Sequence, residues 1–131
     1  MAPRPADEAV RALLLEKWRQ ARDGGVEAFC ADVAEQSVCA EDWHAAGGAE
    51  QVPRTPPRVV ASEAGGGKRW LTVCGTTGTG RAYEGSFVAV LVDGRTVAEL
   101  PVFWNGRRFS GVFSESEAPT TTSASRAPSP C

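Results

Sequence analysis

Two tight-turn dipeptides constrain the fold of this chain more than any other feature of its sequence. Asp93-Gly94 and Asn105-Gly106 each stand between stretches of β-forming residues. Both dipeptides suit the positive φ angles of a type I′ turn, which is the favoured two-residue hairpin connection. The sequence therefore predicts a ribbon of three consecutive antiparallel strands, at 86–92, 96–104 and 107–112.

Two more strands are predicted before this ribbon, at 58–62 and 68–76, with a glycine-rich hairpin loop between them. The apolar residues of the ribbon's first strand alternate onto both faces, with Phe87 on one face and Val88 on the other. We therefore expect neither face of the sheet to be fully exposed to water. Pro101 cannot donate a ladder hydrogen bond, so it marks an edge or a bulge.

The N-terminal half of the chain has the periodicity of amphipathic helices. After Asp7, which is a good N-cap residue, apolar residues recur at three- and four-residue steps until Gly24-Gly25 ends the pattern. A second stripe that begins at Val26 predicts a second helix of about three turns, in an angled hairpin with the first. A third, shorter helix is predicted at 40–46.

These elements predict one α+β domain at 6–113, because 131 residues are the usual length of a single domain. Its N-terminal helical hairpin and short third helix would pack on a curved, cone-like antiparallel sheet. We expect 1–5 to be a disordered lead. The stretch 114–131 is rich in Ser, Thr and Pro and lacks large apolar residues, which predicts a disordered tail. Cys131, at its end, is interpreted as an incidental exposed thiol.

Charge and hydropathy exclude several partners and suggest a compartment. The net charge is −2 and Arg107-Arg108 is the nearest approach to a basic stripe, so we expect no nucleic-acid binding. No stretch approaches the ~20 apolar residues of a membrane span. The first residues do not resemble a signal peptide, which predicts a cytoplasmic protein; the alternative is export, if the true N-terminus is missing.

The four cysteines do not match a zinc site, because structural zinc prefers ligand pairs two to four residues apart. The closest pair, Cys30 and Cys39, is nine residues apart. That separation permits a disulfide, and in a reducing cytoplasm the same two residues would be buried small hydrophobes. The sequence leaves both alternatives open.

Candidate catalytic residues are few and do not form a recognisable set. His44 is the only histidine and follows Trp43 on a short helix, which favours a solvated imidazole over a general base. Asp32 and Glu35 favour a solvated helix face over an acid–base pair. The run at 75–81 lacks the Gly-Lys-Ser/Thr ending of a phosphate loop, so a flexible β-loop is favoured. The sequence predicts no catalytic residue, no metal site and no cofactor.

The aromatic residues have two interpretations, because they follow helix and strand spacing. They are either the packed core or the wall of a ligand pocket between the helices and the curved sheet. The candidate ligand-binding residues are Trp18, Trp70, Tyr83, Phe87 and Trp104.

This pattern resembles the NTF2-like (SnoaL-like) superfamily. The run at 87–95, an apolar strand with an Asp-Gly-Arg turn, and the following strand at 97–104, which ends in aromatic residues, are similar to the last two strands of such domains. The stripe at 13–18 and the run at 26–30 resemble their opening helices. The resemblance covers 6–112.

The resemblance implies a cone with a central pocket and often a homodimer through the sheet. Some members are cyclases, isomerases or dehydratases with a pocket Asp and His, and many others are binding or accessory domains, several in exported or lipid-anchored actinobacterial proteins. Because no such Asp–His pair is matched, we expect a non-catalytic domain that binds a small apolar ligand or a protein partner. The alternatives are a SnoaL-like enzyme with His44, Asp32 or Tyr83 in its pocket, and an exported interaction module bridged by Cys30 and Cys39.

Overall fold

The computed structural model describes residues 3–109 and residue 131, and it confirms the α+β class. Helices come first in the chain and strands second. The elements are the helices α1 (Asp7–Phe29) and α2 (Gln36–Ala45), a 3₁₀ helix (Gly48–Gln51), and the strands β1 (Arg58–Gly65), β2 (Lys68–Thr76), β3 (Ala82–Val92) and β4 (Arg95–Leu100). Within these described residues, no helix combines the length and the apolar character that crossing a membrane requires.

The four strands form one antiparallel sheet in the order β1-β2-β3-β4. The hairpin predicted between β3 and β4 is confirmed, since Asp93 has a φ of 53° and Gly94 a φ of 79°, as a type I′ turn requires. β3 begins earlier than predicted, at Ala82, because Tyr83 and Gly85 continue the ladder with β2.

The end of the predicted ribbon is corrected. β4 stops at Leu100, because Pro101 has no N–H for the ladder. Asn105-Gly106 does not form a type I′ turn, since Asp93 is the sole non-glycine residue of the described chain with a positive φ. The segment 107–109 is not a strand that pairs with β4; instead Ser86 of β3 donates its N–H to the Arg107 carbonyl at 3.1 Å. Residues 110–112 lie outside the described chain.

The break predicted at Gly24-Gly25 is confirmed, and the second helix after it is corrected. Gly25 interrupts α1 with a φ of 72°, and only one helical turn follows before α1 ends at Phe29. The predicted helix is shorter because the chain leaves it to reach the sheet, where Ala34 donates its N–H to the Ala98 carbonyl at 2.9 Å. The third predicted helix is α2, which begins earlier, at Gln36.

An aromatic core joins the helices to one face of the sheet. Phe29 of α1 lies 5.3 Å from the Trp43 ring and 5.4 Å from the Trp104 ring, and Phe103 packs on Trp104 at 4.8 Å. Beside them, the Lys17 ammonium is buried and donates to the Phe29 carbonyl at 2.8 Å. This bond partners a carbonyl at the C-terminal end of α1, where helices leave carbonyls unpaired. Burial also lowers the pKa of Lys17.

The opposite face of the sheet is buried as well. Trp70 and Val88 point away from the helices and are 5% and 0% exposed. The Phe109 ring packs edge-on against Trp70 at 5.0 Å. The sequence-based prediction that neither face is fully exposed to water is therefore confirmed for the centre of the sheet.

At the chain start, Pro5 is also buried and its carbonyl accepts from Arg69, so this part of the predicted disordered lead packs on the sheet.

All four cysteines are paired in disulfides. Cys30 is bonded to Cys39, so the structure takes the disulfide alternative for this pair and links the end of α1 to α2. Cys74 of β2 is bonded to Cys131. The interpretation of Cys131 as an incidental thiol is therefore wrong, although the residue is exposed as expected, because no local sequence signal reveals a partner 57 residues away. The rest of the predicted tail lies outside the described residues.

Candidate functional site

A cleft of about 540 Å³ opens where α2 ends, β3 begins and the segment 104–108 passes between them. We call it the rim cleft. Its size is within the range of about 300–1,000 Å³ that small-molecule sites occupy. Its wall combines three small residues at 45–47 with two aromatic residues and a set of polar side chains. The aromatic and polar residues are Tyr83 and Trp104, with Gln51, Thr77, Arg81, Glu84, Asn105 and Arg108.

The backbone at the end of α2 shapes one side of the rim cleft. α2 ends at Ala45, and Gly47 adopts a φ of 105°, which turns the chain into the 3₁₀ helix. A side chain at Gly47 would be strained by this φ and would also collide with Gln51. The 3₁₀ helix is joined to the β2–β3 loop because Gly78 donates its N–H to the Gln51 carbonyl at 3.1 Å.

Two amide side chains of the rim cleft have their oxygens occupied by the protein. Gln51 Oε1 accepts from the Thr79 hydroxyl at 2.9 Å. Asn105 Oδ1 accepts from the Arg107 N–H at 3.0 Å. These bonds engage the oxygen of each amide, so its NH₂ group lies on the opposite side from the contact. An amide NH₂ group is a donor, and it suits a ligand that carries acceptors.

Two residues that line the rim cleft also carry a donor atom that is fully buried, does not reach the surface of the cleft and has no hydrogen-bond partner in the described chain. These donors are the indole Nε1–H of Trp104 and the hydroxyl of Tyr83, on side chains that are 3% and 6% exposed. Packing holds both rings in place: Trp104 contacts Trp43 at 5.8 Å, and Tyr83 lies over Gly75, where any side chain would collide with it. Burial raises the pKa of Tyr83, so the hydroxyl keeps its proton at neutral pH.

The charges of the rim cleft are two guanidinium groups and one carboxylate. Arg108 Nη1 pairs with Glu84 Oε2 at 2.9 Å. Arg81 is the second cation, and its side chain is exposed. Two positive charges and one negative charge leave the wall with a net charge of +1. The wall can therefore attract a small anion.

The structure brings together two of the five candidate ligand-binding residues. Tyr83 and Trp104 line the rim cleft. Phe87 is fully buried in the core, and the other two residues use their indole N–H groups inside the protein. Trp18 donates to the Pro53 carbonyl at 2.8 Å, and Trp70 donates to Glu63 on the opposite face of the sheet. These three residues therefore do not share a pocket with Tyr83 and Trp104.

The candidate catalytic residues are not brought together. His44 and Asp32 are exposed and do not line the rim cleft, whereas Tyr83 does. The β2–β3 loop is closed by its own bonds, since Thr77 donates its N–H to the Arg81 carbonyl at 2.7 Å. No group of three or more His, Cys, Asp or Glu residues within 3–109 and 131 is placed to hold a metal ion.

The sequence does not predict the polar residues of the rim cleft. Gln51 and Asn105 are 54 positions apart in the chain and carry no common motif. Arg81 ends the glycine-rich run at 75–81, and Arg108 belongs to the pair Arg107-Arg108; neither run carries a complete phosphate or nucleic-acid motif. The signal that could have found them is their position next to glycine turns at one end of the sheet.

Comparison with protein-family models, with curated proteins and with solved structures finds no match to this chain. The resemblance to NTF2-like domains therefore stays a prediction from the sequence.

Proposed function

We propose that this chain is a non-catalytic binding domain that takes a small polar molecule in the rim cleft. The observation that carries the proposal is the wall of the rim cleft, an open cavity of about 540 Å³ to which Gln51, Arg81 and Asn105 contribute polar groups. A concave cavity of this size with a few convergent polar groups is the usual form of a small-molecule site.

This proposal changes one expectation drawn from the sequence. A small apolar ligand was expected, and the lining of the rim cleft favours a polar one, because Gln51, Arg81 and Asn105 contribute polar groups to it. A SnoaL-like enzyme is less well supported, since His44 and Asp32 are exposed and do not line the rim cleft with Tyr83. The NTF2-like resemblance remains part of the proposal at the level of architecture.

We also propose that the domain works in an oxidising compartment. Both disulfides support this, because such bonds form and persist mainly in secreted, periplasmic or surface proteins. This favours the exported alternative over the cytoplasmic one. Mass spectrometry of the protein from its native compartment, with thiols alkylated before and after reduction, tests it. Free thiols at Cys30 and Cys39 would contradict it.

The binding function is tested with isotope-labelled protein and a panel of fragments that includes anionic, cationic and neutral molecules. We expect at least one fragment to shift the amide resonances of 45–47 and 104–108 in a saturable manner. Ala45→Trp fills the mouth of the rim cleft and should abolish these shifts. Leu15→Trp places the same side chain on an exposed face of α1 and should leave them unchanged.

Failure of every fragment to shift these resonances would refute the binding function, as would binding that persists in Ala45→Trp.

A homodimer through the sheet is a separate expectation from the family resemblance. Sedimentation velocity at several protein concentrations tests it, and a monomer throughout would remove it.

A further inference from the structure

An open groove of about 380 Å³ lies where α1 ends and α2 begins, and we call it the helix groove. Its lining is mostly apolar and consists of Val26, Glu27, Cys30, Ala31, Gln36 and Ala40. Two bonds hold its sides together: the Cys30–Cys39 disulfide, and the hydrogen bond that the Gln36 amide donates to the Ala31 carbonyl at 2.7 Å. None of the lining residues belongs to the rim cleft, so the helix groove is a separate surface.

The chain that forms the helix groove is strongly acidic. The stretch 23–50 contains none of the 14 Lys and Arg residues of the sequence and seven of its 16 acidic residues, which are Asp23, Glu27, Asp32, Glu35, Glu41, Asp42 and Glu50. Its formal net charge is therefore −7, and the remainder of the chain carries +5, for a total of −2. A surface with one sign of charge attracts partners of the opposite sign.

Three of these carboxylates flank the helix groove and are available to a partner. Glu27 lines the groove, and Glu35 and Glu41 are each next to a lining residue in the chain. All three side chains are exposed, and among residues 3–109 and 131 none of them forms an ion pair. Glu35 and Glu41 are six residues apart, which corresponds to about 9 Å along a helix. The charges are therefore spread along the groove.

This combination of an apolar lining and dispersed carboxylates selects the partner. A simple monovalent cation would engage one carboxylate and leave the apolar lining open to water. A peptide segment with an apolar side chain between lysine or arginine side chains matches both features, and docking of amphipathic segments in grooves between helices is a common mode of recognition. We infer that the helix groove docks a basic amphipathic segment of a partner protein, whose cationic side chains pair with Glu27, Glu35 and Glu41. The inference does not depend on the function of the rim cleft.

The test is a titration of the isotope-labelled, disulfide-bonded protein with a capped peptide in which single leucines are separated by pairs of lysines. We expect saturable shifts of the amide resonances of 26–31 and 36–41 and no shifts at 104–108. A peptide with glutamate in place of each lysine should not bind. A peptide with serine in place of each leucine keeps the charge and loses the apolar side chains, and it should bind at least about tenfold more weakly.

Two variants of the protein test the two features of the helix groove. Glu27→Lys reverses a charge in the lining, and Ala31→Trp fills the groove at an exposed position. Each should weaken binding of the leucine–lysine peptide about tenfold or more. Glu8→Lys is the matched control for charge, because Glu8 is exposed in the first turn of the same 23-residue helix, at the opposite end from Glu27. Leu15→Trp is the matched control for size, and both controls should bind the peptide as the unchanged protein does.

Several results would overturn the inference. If the serine–lysine peptide binds as tightly as the leucine–lysine peptide, or if Glu8→Lys weakens binding as much as Glu27→Lys, the attraction is a general charge effect. If spermine binds as tightly as the peptide, the partner is a polyamine and not a protein segment. Absence of shifts at 26–31 and 36–41 would also refute the docking surface. None of these results bears on the rim cleft, whose function is tested with its own fragments.

Discussion

Replacing both Cys30 and Cys39 by alanine is expected to lower the free energy of unfolding by about 2.6 kcal/mol. The two residues are nine positions apart, and closing a loop of that length in the unfolded chain costs about 2.6 kcal/mol at 25 °C in the chain-entropy relation. Cys74 and Cys131 are 57 positions apart, so the same relation gives about 4.2 kcal/mol for their bond. The Cys30–Cys39 disulfide should therefore contribute less to the free energy of unfolding than the Cys74–Cys131 disulfide.

The Cys30–Cys39 disulfide also has a local role, because it fixes the segment that follows α1. Just after Cys30, Val33 forms a parallel bridge to Ala98 of β4, and the Ala34 N–H donates to the same residue. This segment covers part of the outer edge of the sheet. Without the Cys30–Cys39 disulfide we expect the Ala34 amide to exchange its hydrogen with solvent at least tenfold faster. Amides at the centre of β2 exchange only through global unfolding, so their change reports the loss of global stability and is the reference for Ala34.

Denaturant unfolding of the oxidised protein and of the Cys30→Ala/Cys39→Ala protein measures the difference in the free energy of unfolding. The matched control is Cys74→Ala/Cys131→Ala, which removes the other bridge and should cost more. The reasoning is refuted if the first pair of substitutions costs under about 1 kcal/mol, or if it costs more than the second pair. It is also refuted if exchange of the Ala34 amide does not change.

Three further outcomes are expected. Gly85→Ala should destabilise the fold by about 3 kcal/mol in denaturant unfolding, because the added Cβ would overlap the Phe103 carbonyl; a change below about 1 kcal/mol would contradict this. Tyr83→Phe should leave stability unchanged or raise it by up to about 1 kcal/mol, since it removes a buried hydroxyl that has no partner among residues 3–109 and 131, and a clear loss would show a partner. Because the pKa of Tyr83 is raised in the folded state, the unfolded chain releases its proton first, and the free energy of unfolding should fall as pH rises above about 10. Burial of Lys17 acts in the opposite direction near that pH, so the difference between the unchanged protein and Tyr83→Phe isolates this contribution, and a pH-independent difference would contradict it.

Local turn chemistry explains the parts of the fold that the sequence predicts correctly. Asp93-Gly94 needs two positive φ angles and has them, and Gly25 breaks α1 near the predicted point. Asn105-Gly106 marks a turn, but the turn type depends on Pro101, which ends β4 before the hairpin can form. In that case a neighbouring residue overrides the local signal.

The helix after Gly25 was overestimated for a tertiary reason. The apolar stripe from Val26 is consistent with a longer helix, and nothing in it reveals that Val33 pairs with Ala98, far along the chain. The disulfide of Cys131 was missed in the same way, because a pairing over 57 positions has no local signature.

The candidate site could be predicted only in part. The aromatic residues Tyr83 and Trp104 were candidates because large rings are conspicuous at strand spacing. Gln51 and Asn105 could not be found, since ordinary amides become a site only when turns at one end of the sheet bring them together. The donor character of the wall depends on which end of each amide is engaged, and this is visible only in the structure.

The most direct measurement of the central claim is the set of intermolecular nuclear Overhauser effects in the protein saturated with a fragment that shifts its resonances. If the rim cleft is the binding site, the protons of the bound fragment should give such effects with residues that line it, such as the Ala45 methyl group and the Trp104 ring. Effects confined to residues outside the rim cleft, such as Leu15 or Val92 on exposed faces, would contradict the account.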